Sequence, residues 1–179
     1  MIVVGIDYSM SSPSICVHRG KDWSIDNCTF YFLTSRKKFV FASNTFVGAL
    51  HQEYTTQEER FNNIALWALA NIPKSAKIGI EGYAYAAKGV VFDIGENTGI
   101  LKHLLWNKKL SFEVFSPPSI KKFATGKGNA NKLVMYGTFV EETQMDISAI
   151  IHCNEGDSPM SDIIDSYYIA KYMFFHNSN

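Results

Sequence analysis

Short apolar runs rich in β-branched and aromatic residues, separated by polar turns, dominate the first part of the chain. The run Ile2–Ile6 (IVVGI) has the pattern of a strand buried on both faces of a sheet. Ser14–His18 and Trp23–Leu33 follow after short polar links, which predicts an antiparallel meander of three strands. Two later runs, Lys77–Ile80 and Ser111–Phe115, predict a fourth and a fifth strand.

Helical spacing of apolar residues begins after a capping signature. Thr55 and Thr56 are each followed three residues later by a glutamate, which is the pattern of a capping box. Apolar residues then recur at helical spacing from Phe61 to Ile72, and Pro73 ends the helix. Four further helices are predicted, namely Val91–Leu105, Ser119–Ala124, Ala130–Glu142 and a last one with Ser158 as N-cap, Pro159 as first helical residue and Met160, Ile163, Ile164 and Tyr167 on its apolar face.

The order of these elements predicts the fold class. Three strands come first, and helices then alternate with two more strands before the last helices. This order is typical of an α/β fold in which helices flank a mixed five-stranded sheet, here as a single domain over residues 1–179. For residues 39–41 and 45–47, the pattern does not distinguish further short strands from an irregular flap.

The distribution of charge adds a possible basic surface to this picture. The chain has 179 residues, of which 46% are hydrophobic and 19% charged, so it is suited to a globular domain with a sizeable core. Its 17 basic and 17 acidic residues cancel, so net charge does not indicate a nucleic-acid partner. Between residues 102 and 132, however, Glu113 is the sole acid among Lys102, Lys108, Lys109, Lys121, Lys122, Lys127 and Lys132. This segment is either a local basic surface or an ordinary solvated lysine-rich face.

Cysteine usage and hydropathy favour an intracellular protein. Cys16, Cys28 and Cys153 are widely spaced and form no C-x-x-C pair, which predicts reduced thiols rather than a disulfide framework or a zinc site. The first apolar run is too short for the core of a signal peptide, and no stretch approaches the length of a membrane span. We therefore expect a cytoplasmic protein, in a prokaryotic cell or a phage-infected host, with no membrane partner and no small-molecule cofactor.

Four acidic side chains stand at positions where a ligand site is expected. Asp7 and Glu81 each end a predicted strand, and strand ends are where α/β sheets bind ligands. Asp162 and Asp165 are spaced i, i+3 and therefore share one face of the last helix. Four converging carboxylates repel each other unless cations neutralise them, and hard oxygen ligands favour Mg²⁺, with Mn²⁺ as a substitute. Two such ions activate a water and stabilise the leaving oxygen in phosphodiester hydrolysis.

Each acid also has a simpler explanation when it is taken alone. Asp7 can cap the polar turn that follows it, and Asp162 suits the positive end of the helix dipole. The dipole explains Asp165 less well, because this residue lies among the apolar positions where the helix should pack. The combination of two strand-end acids with an i, i+3 pair therefore favours a metal site.

Three motifs, in this order and spacing, resemble those of a nuclease family. They are GID-x-S at the first strand, IEG-x-x-Y at the fourth and S-D-I-I-D-S-x-x-x-A in the last helix. The segment from Ser116 to Lys132 resembles the pattern P-x-x-x-K…T-G-x-G-x-A-x-K. From Ile2 to Ala170, the chain is similar in these features to the RuvC-type Holliday junction resolvases of the ribonuclease H-like superfamily.

The resemblance implies a ribonuclease H-like fold, a homodimer and metal-dependent cutting of four-way DNA junctions. The implied metal-binding and catalytic acids are Asp7, Glu81, Asp162 and Asp165, and the implied basic catalytic residue near the scissile phosphate is Lys132. Bacterial members continue GID with Pro-Gly, whereas residues 8–13 of this chain read YSMSSP, which is more like viral or phage relatives. Residues 36–54 match no part of the family pattern.

Further residues are predicted to contact DNA. Tyr83 and Tyr85 closely follow Glu81 and either stack on unpaired bases or pack in the core. The loop Gly126-Lys127-Gly128 is not a P-loop, because position 121 is a lysine and Asn129 replaces the required Ser or Thr. Its small residues let the backbone approach a DNA phosphate, unless the loop only links two helices. The predicted DNA-binding residues are Tyr83, Tyr85, Lys88, Lys121, Lys122, Lys127 and Asn129.

The resemblance, together with the acidic cluster, implies an endodeoxyribonuclease that selects branched DNA and resolves four-way junctions by paired, metal-dependent hydrolysis. The alternatives are a ribonuclease H-like nuclease with broader branched, flap or RNA–DNA hybrid specificity, a non-catalytic DNA-binding relative, and a fragment of an actin-like ATPase. Paired cutting requires two sites related by a two-fold axis. We expect the apolar residues Ile100, Leu104 and Trp106 to form a dimer interface, unless their helix is buried on two sides within one chain.

Overall fold

The central sheet has more strands than the sequence predicted. The computed structural model describes residues 1–83 and 91–176. Within them the strands are Ile2–Asp7 (β1), Ser14–Arg19 (β2), Cys28–Thr34 (β3), Phe41–Ala42 (β4), Phe46–Leu50 (β5), Lys77–Glu81 (β6) and Phe112–Phe115 (β7). They form one seven-stranded sheet in the order β4-β5-β3-β2-β1-β6-β7. The predicted α/β class with a mixed sheet is confirmed, and the count of five strands is wrong because β4 and β5 extend the sheet beyond β3.

The two extra strands are held by contacts that the local sequence pattern does not reveal. β5 pairs in parallel with β3, with Phe46 opposite Phe30, and these two rings stack with centroids 5.2 Å apart. A Cβ on Gly48 would lie 2.2 Å from the carbonyl oxygen of Phe39, so only glycine lets the preceding 3-10 turn, Lys37–Phe39, approach this closely. The alternative of an irregular flap is therefore excluded for residues 41–42 and 46–50.

The strand pairings at the centre of the sheet place two acids side by side. β1 pairs antiparallel with β2, and β2 antiparallel with β3, which confirms the predicted meander. The predicted start of the third strand at Trp23 is wrong, because Ile25–Asn27 forms a 3-10 turn and β3 begins at Cys28. β1 also pairs in parallel with β6, with Ile6 opposite Ile80, and β6 pairs in parallel with β7. Since parallel strands end at the same edge of a sheet, Asp7 and Glu81 lie next to each other at that edge.

The five predicted helices are present in the predicted order with small shifts at their ends, and one further short helix, Ile147–Ile151, was not predicted. They are Gln57–Asn71 (α1), Val91–Asn107 (α2), Pro117–Thr125 (α3), Lys132–Thr143 (α4), Ile147–Ile151 (α5) and Met160–His176 (α6). The predicted cap of α1 is confirmed, since the Thr56 hydroxyl accepts from the Glu59 amide at 3.2 Å. The predicted start of the last helix at Pro159 is wrong, because Pro159 lies in the preceding turn and α6 begins at Met160.

Helices cover both faces of the sheet and create two hydrophobic cores. α1 and α2 pack on one face, where Ile64 and Leu101 of the helices share a core with Val4 of β1. The helices α3 to α6 cover the other face. α6 lies mainly across β1 and β2. In the described ranges, no helix has both the length and the apolar character that a membrane crossing requires.

Candidate functional site

The two strand-end acids and the two acids of the last helix come together at one edge of the sheet. Asp7 ends β1 and is 9% exposed, while Glu81 ends the neighbouring strand β6. Asp162 and Asp165 lie in the first two turns of α6 and are half-buried. The site therefore draws its carboxylates from three elements that are far apart in the sequence, as the motif spacing predicts.

Close packing of α6 against β1 brings these elements together. A Cβ on Gly5 would lie 2.2 Å from the backbone nitrogen of Ala170 and 2.3 Å from the carbonyl oxygen of Ser166. Both are backbone atoms that cannot move aside, so the absence of a side chain at Gly5 sets the distance between helix and strand. This glycine precedes Asp7 by two residues, which places α6 beside the acid at the strand end.

The charges of the four carboxylates act on one another. Burial raises the pKa of Asp7 well above its usual range, and the charges of the other three acids raise it further. Burial, followed by the charges of Glu81 and Asp162, raises the pKa of Asp165 to about 7. Burial likewise raises the pKa of Glu81 to about 6. Raised pKa values mean that the ionised forms of these acids are destabilised, so a bound cation would stabilise the charged form of the site.

The cluster fits a divalent cation by the chemistry of its donors. All four side chains offer hard oxygen ligands, which are the ligands that Mg²⁺ prefers. In residues 1–83 and 91–176, however, no group of three or more His, Cys, Asp or Glu side chains is arranged so that it could hold a metal ion directly. The donor chemistry of the cluster therefore suits Mg²⁺, while the described side chains as arranged do not by themselves form a metal site.

Ser12, which the sequence patterns did not indicate, donates a hydrogen bond to one of the four acids. The hydroxyl of Ser12 donates to Oδ2 of Asp162 at 2.6 Å, and Ser12 is buried in the turn after β1. Arg60 of α1 stabilises the same turn, because its Nη2 donates to the carbonyl oxygen of Met10 at 2.8 Å. Ser12 and Asp162 are 150 positions apart, so no local pattern in the sequence indicates this hydrogen bond.

Lys132 lies next to the acidic cluster. It is the first residue of α4, and its Nζ donates to the hydroxyl of Ser161 at 3.1 Å, one residue before Asp162. Its positive charge opposes the rise in the pKa of both Asp7 and Asp165. This position agrees with the role that the resemblance implied for Lys132, which stays a prediction.

Lys121 is a second cation of the cluster. It belongs to α3, and its charge opposes the rise in the pKa of Glu81 and of Asp165. The sequence reasoning grouped Lys121 with the general DNA contacts and gave it no part in the cluster. Its place beside the acids depends on how α3 packs, which the lysine-rich segment does not reveal.

The other predicted DNA contacts lie on the surface of α3 and of the loop that follows it. Lys122, Lys127 and Asn129 are exposed. Gly126 has φ 78° and ends α3, with its N–H donating to the carbonyl oxygen of Lys122 at 2.8 Å. Helix capping therefore explains this glycine without any contact to DNA, while the exposed lysine of the loop remains free to make one.

Of the two tyrosines predicted to contact DNA, Tyr83 lies within the described residues. Tyr83 is half-buried, and Nζ of Lys102 lies 5.0 Å from the centroid of its ring. Tyr85 and Lys88 lie outside the described residues. The expectation that they contact DNA stays a prediction.

Solved structures share this arrangement of sheet and helices. A structure of Thermus thermophilus RuvC matches with a TM-score of 0.58 and 18% sequence identity, covering 99% of this chain and 96% of that chain. The fold is that of RuvC. T. thermophilus RuvC in complex with Holliday junction substrate matches with a TM-score of 0.60 and 17% identity, at the same coverage. No family model matches the sequence, and no curated protein matches it. The likeness to RuvC confirms the predicted fold, including the mixed sheet with flanking helices.

Proposed function

We propose that this protein is a metal-dependent endonuclease that resolves four-way DNA junctions. The observation that supports this most strongly is the meeting of Asp7, Glu81, Asp162 and Asp165 at one sheet edge in the fold of RuvC. One structure with this fold is that of RuvC with a Holliday junction substrate. A four-way junction is therefore the substrate that we assign to this chain.

Each part of the cluster has a distinct task in this proposal. The four acids would hold Mg²⁺, or Mn²⁺ as its substitute, and a pair of such ions would supply Lewis-acid chemistry for the activation of water and the stabilisation of the leaving oxygen. Ser12 keeps the carboxylate of Asp162 in a fixed orientation through its hydrogen bond. Lys132 and Lys121 add positive charge beside the acids, which attracts the substrate phosphate and offsets the charge that grows on it during cleavage.

A dimer would provide the two sites that paired cutting requires. On α2, Phe92 is 80% exposed and Trp106 is 72% exposed. These residues are fourteen positions apart, which is nearly four helical turns, so they share one face of the helix. The predicted interface residues Ile100 and Leu104 are half-buried and pack against the core on the α1 and α2 side. We infer that the interface is centred on Phe92 and Trp106 rather than on these two.

A substrate panel tests the proposed activity. Purified protein with Mg²⁺ is incubated with a four-way junction, a flap, a linear duplex and an RNA–DNA hybrid. We expect the junction to be cut by paired nicks in opposing strands, and the other substrates to be cut much more slowly. Preferential cutting of the flap or the hybrid would support the broader ribonuclease H-like nuclease instead.

Replacing any of the four acids with its amide should abolish cleavage without unfolding the protein. Asp7→Asn and Glu81→Gln, like Asp162→Asn and Asp165→Asn, keep the shape of the side chain but lose the charge that attracts the metal. Junction binding should survive or tighten, because the change removes a negative charge that repels phosphates. The matched control is Glu141→Gln on the exposed surface of α4. Cutting at a near wild-type rate by one of the four variants would remove that residue from the site.

A further inference from the structure

The turn after β1 forms one wall of the acidic site and carries the serine that bonds Asp162. Residues 8–11 of this turn line a cavity of about 390 Å³ together with Asp7 and Glu81. Ser12 follows directly, and its hydroxyl donates to Oδ2 of Asp162 at 2.6 Å. The direction of the Ser12 side chain depends on the backbone before it. The orientation of the Asp162 carboxylate therefore depends on how this turn is held.

Two consecutive carbonyl groups of the turn accept hydrogen bonds from other segments of the chain. Nη2 of Arg60 donates to the carbonyl oxygen of Met10 at 2.8 Å. Nε2 of His51 donates to the carbonyl oxygen of Ser11 at 2.9 Å. The two peptide groups directly before Ser12 are therefore restrained, and with them the direction of its Cα–Cβ bond.

His51 reaches the turn because of the two strands that the sequence pattern did not predict. β4 and β5 lie within residues 36–54, the segment that matches no part of the family pattern. β5 pairs with β3 as far as Leu50 opposite Thr34, and the amide of His51 then donates to the carbonyl oxygen of Thr34 at 3.2 Å. This pairing places the residue after β5 beside a turn that lies 40 positions earlier in the sequence.

The end of the same segment also supports Arg60. Cζ of Arg60 lies 5.3 Å from the centroid of the Tyr54 ring, a distance at which an aromatic ring attracts a guanidinium cation. Tyr54 thus restrains the side chain whose Nη2 bonds the carbonyl oxygen of Met10. Residues 51–54 therefore hold the turn once directly, through His51, and once through Arg60.

We propose that residues 36–54 position the cleavage site, with His51 acting on the turn and, through Ser12, on Asp162. This inference rests on the proposed function. His51 is a positioning residue rather than a catalytic one, because its bond goes to the backbone of the turn and not to a carboxylate of the cluster. The two additional strands thus give the site a support that no motif of the sequence indicates.

The bond from His51 requires a donor at one position of the ring. A carbonyl oxygen only accepts, so the ring must carry a proton on Nε2. Burial lowers the pKa of His51, which favours the neutral ring, and its single N–H is then the one that faces Ser11. The side-chain nitrogen of glutamine is separated from Cα by the same number of bonds as Nε2 of histidine. His51→Gln can therefore keep the hydrogen bond, whereas His51→Leu loses it.

Hydrogen exchange of the free protein tests the contact independently of any activity. The amide of Ser12 is followed by NMR in wild type, His51→Gln and His51→Leu, without metal or DNA. We expect this amide to exchange about fivefold faster in His51→Leu, because the turn opens more easily after the loss of one bond. His51→Gln should exchange at a rate within about twofold of wild type. Equal exchange in His51→Leu and wild type would overturn the proposal.

A double-mutant cycle tests whether His51 acts through Ser12. Junction cleavage in Mg²⁺ should be about fivefold slower in His51→Leu than in wild type, and within about twofold of wild type in His51→Gln. In a protein that already carries Ser12→Ala, His51→Leu should cause no further loss, because the bond to Asp162 that it supports is absent. Equal fold losses in the two backgrounds would mean that His51 acts on the site by another route, and would overturn the proposal.

A control variant and the substrate panel separate the levels of inference. Nδ2 of Asn63 on α1 donates to the carbonyl oxygen of Glu53 at 3.4 Å, so Asn63→Ala removes a bond to the same segment that does not involve the turn. It should leave exchange and cleavage near the wild-type rates, and losses as large as those of His51→Leu would overturn the proposal. A wild type that cuts no branched substrate would overturn the proposed function, and with it the role of His51 in cleavage, whatever the exchange rates are.

Discussion

The four acids of the cluster differ in their burial and in the groups that surround them. Asp7 is almost completely buried, and the pKa of Asp165 rises to about 7 because burial and two neighbouring acids disfavour its ionised form. Asp162 instead accepts a short hydrogen bond from Ser12. Each acid therefore depends on groups from other elements, and single substitutions can separate these contributions.

Ser12→Ala should slow cleavage without disturbing the fold. The variant removes the hydroxyl that holds Asp162, and a hydrogen bond to a charged group contributes roughly 1.5–3 kcal/mol. We expect the cleavage rate to fall about tenfold or more, and the Mg²⁺ concentration for half-maximal rate to rise. Cleavage is measured over a Mg²⁺ titration, with Ser11→Ala as the neighbouring exposed control. If both alanine variants behave alike, Ser12 has no role in orienting the acid.

Lys121→Ala and Lys132→Ala should lower the cleavage rate much more than the affinity for DNA. Their charges act on the acids of the cluster, where they can offset charge that develops in the transition state. Lys122→Ala and Lys127→Ala remove exposed charges, so binding should weaken and its salt dependence should fall by about one phosphate contact each. Rates and salt-dependent affinities of all four variants are compared. An effect of Lys121→Ala on affinity alone would place this lysine with the general DNA contacts.

The packing of α6 on β1 is the contact between elements that matters most for the site. α6 carries two of the acids and β1 carries a third, so a displacement of the helix would separate them. Gly5 makes the close approach possible, since any side chain there would meet the backbone of α6. The same contact thus serves both stability and the geometry of the cluster.

Gly5→Ala should destabilise the protein and reduce its activity together. Its Cβ would lie 2.2 Å from a backbone nitrogen of α6, so helix and strand must move apart, at a cost of roughly 3 kcal/mol or more in the free energy of unfolding. Gly137→Ala on α4 is the matched control, because nothing lies within 4 Å of its added Cβ. The control should gain up to about 1 kcal/mol from helix propensity. Urea unfolding measures both, and equal stabilities would show that the α6 contact tolerates a side chain.

At the scale of the whole molecule, the two ends of α2 expose large aromatic side chains on one face. Exposed apolar groups of this size in a soluble domain often mark an interface. A two-fold axis through this face would bring two copies of the acidic cluster into one assembly, as paired nicks require. The lysine-bearing α3 lies on the opposite face of the sheet from α2, so each copy would keep its basic surface free for DNA.

Trp106→Asp should convert a dimer into a monomer. We expect the wild type to sediment as a dimer at micromolar concentration, because burial of Phe92 and Trp106 removes large apolar surfaces from water. The variant should sediment as a monomer and nick the junction in one strand at a time. Leu66→Asp, at a partly exposed position on α1, is the control that should stay dimeric. A wild type that remains monomeric with junction DNA bound would exclude the two-fold arrangement.

The sequence alone was sufficient for features that depend on local order and periodicity. The five main strands, the capped helix α1 and the i, i+3 pair of acids on the last helix follow from patterns within a few residues. The neighbouring positions of Asp7 and Glu81 follow from two buried strands that each end in an acid. The strands, the cap and the i, i+3 pair depend on positions within one element, whereas the closeness of Asp7 and Glu81 also requires the parallel pairing of β1 with β6.

The tertiary structure decided the features that depend on contacts between distant segments. β5 is held in the sheet because Phe46 stacks on Phe30 and because Gly48 leaves room for the backbone of Phe39. Neither contact can be recognised from the local sequence. The bond from Ser12 to Asp162, the place of Lys121 beside the acids and the cavity next to Asp7 arise in the same way. These features depend on which surfaces meet after the chain folds, because burial and electrostatic coupling are properties of the packed molecule and not of any single segment.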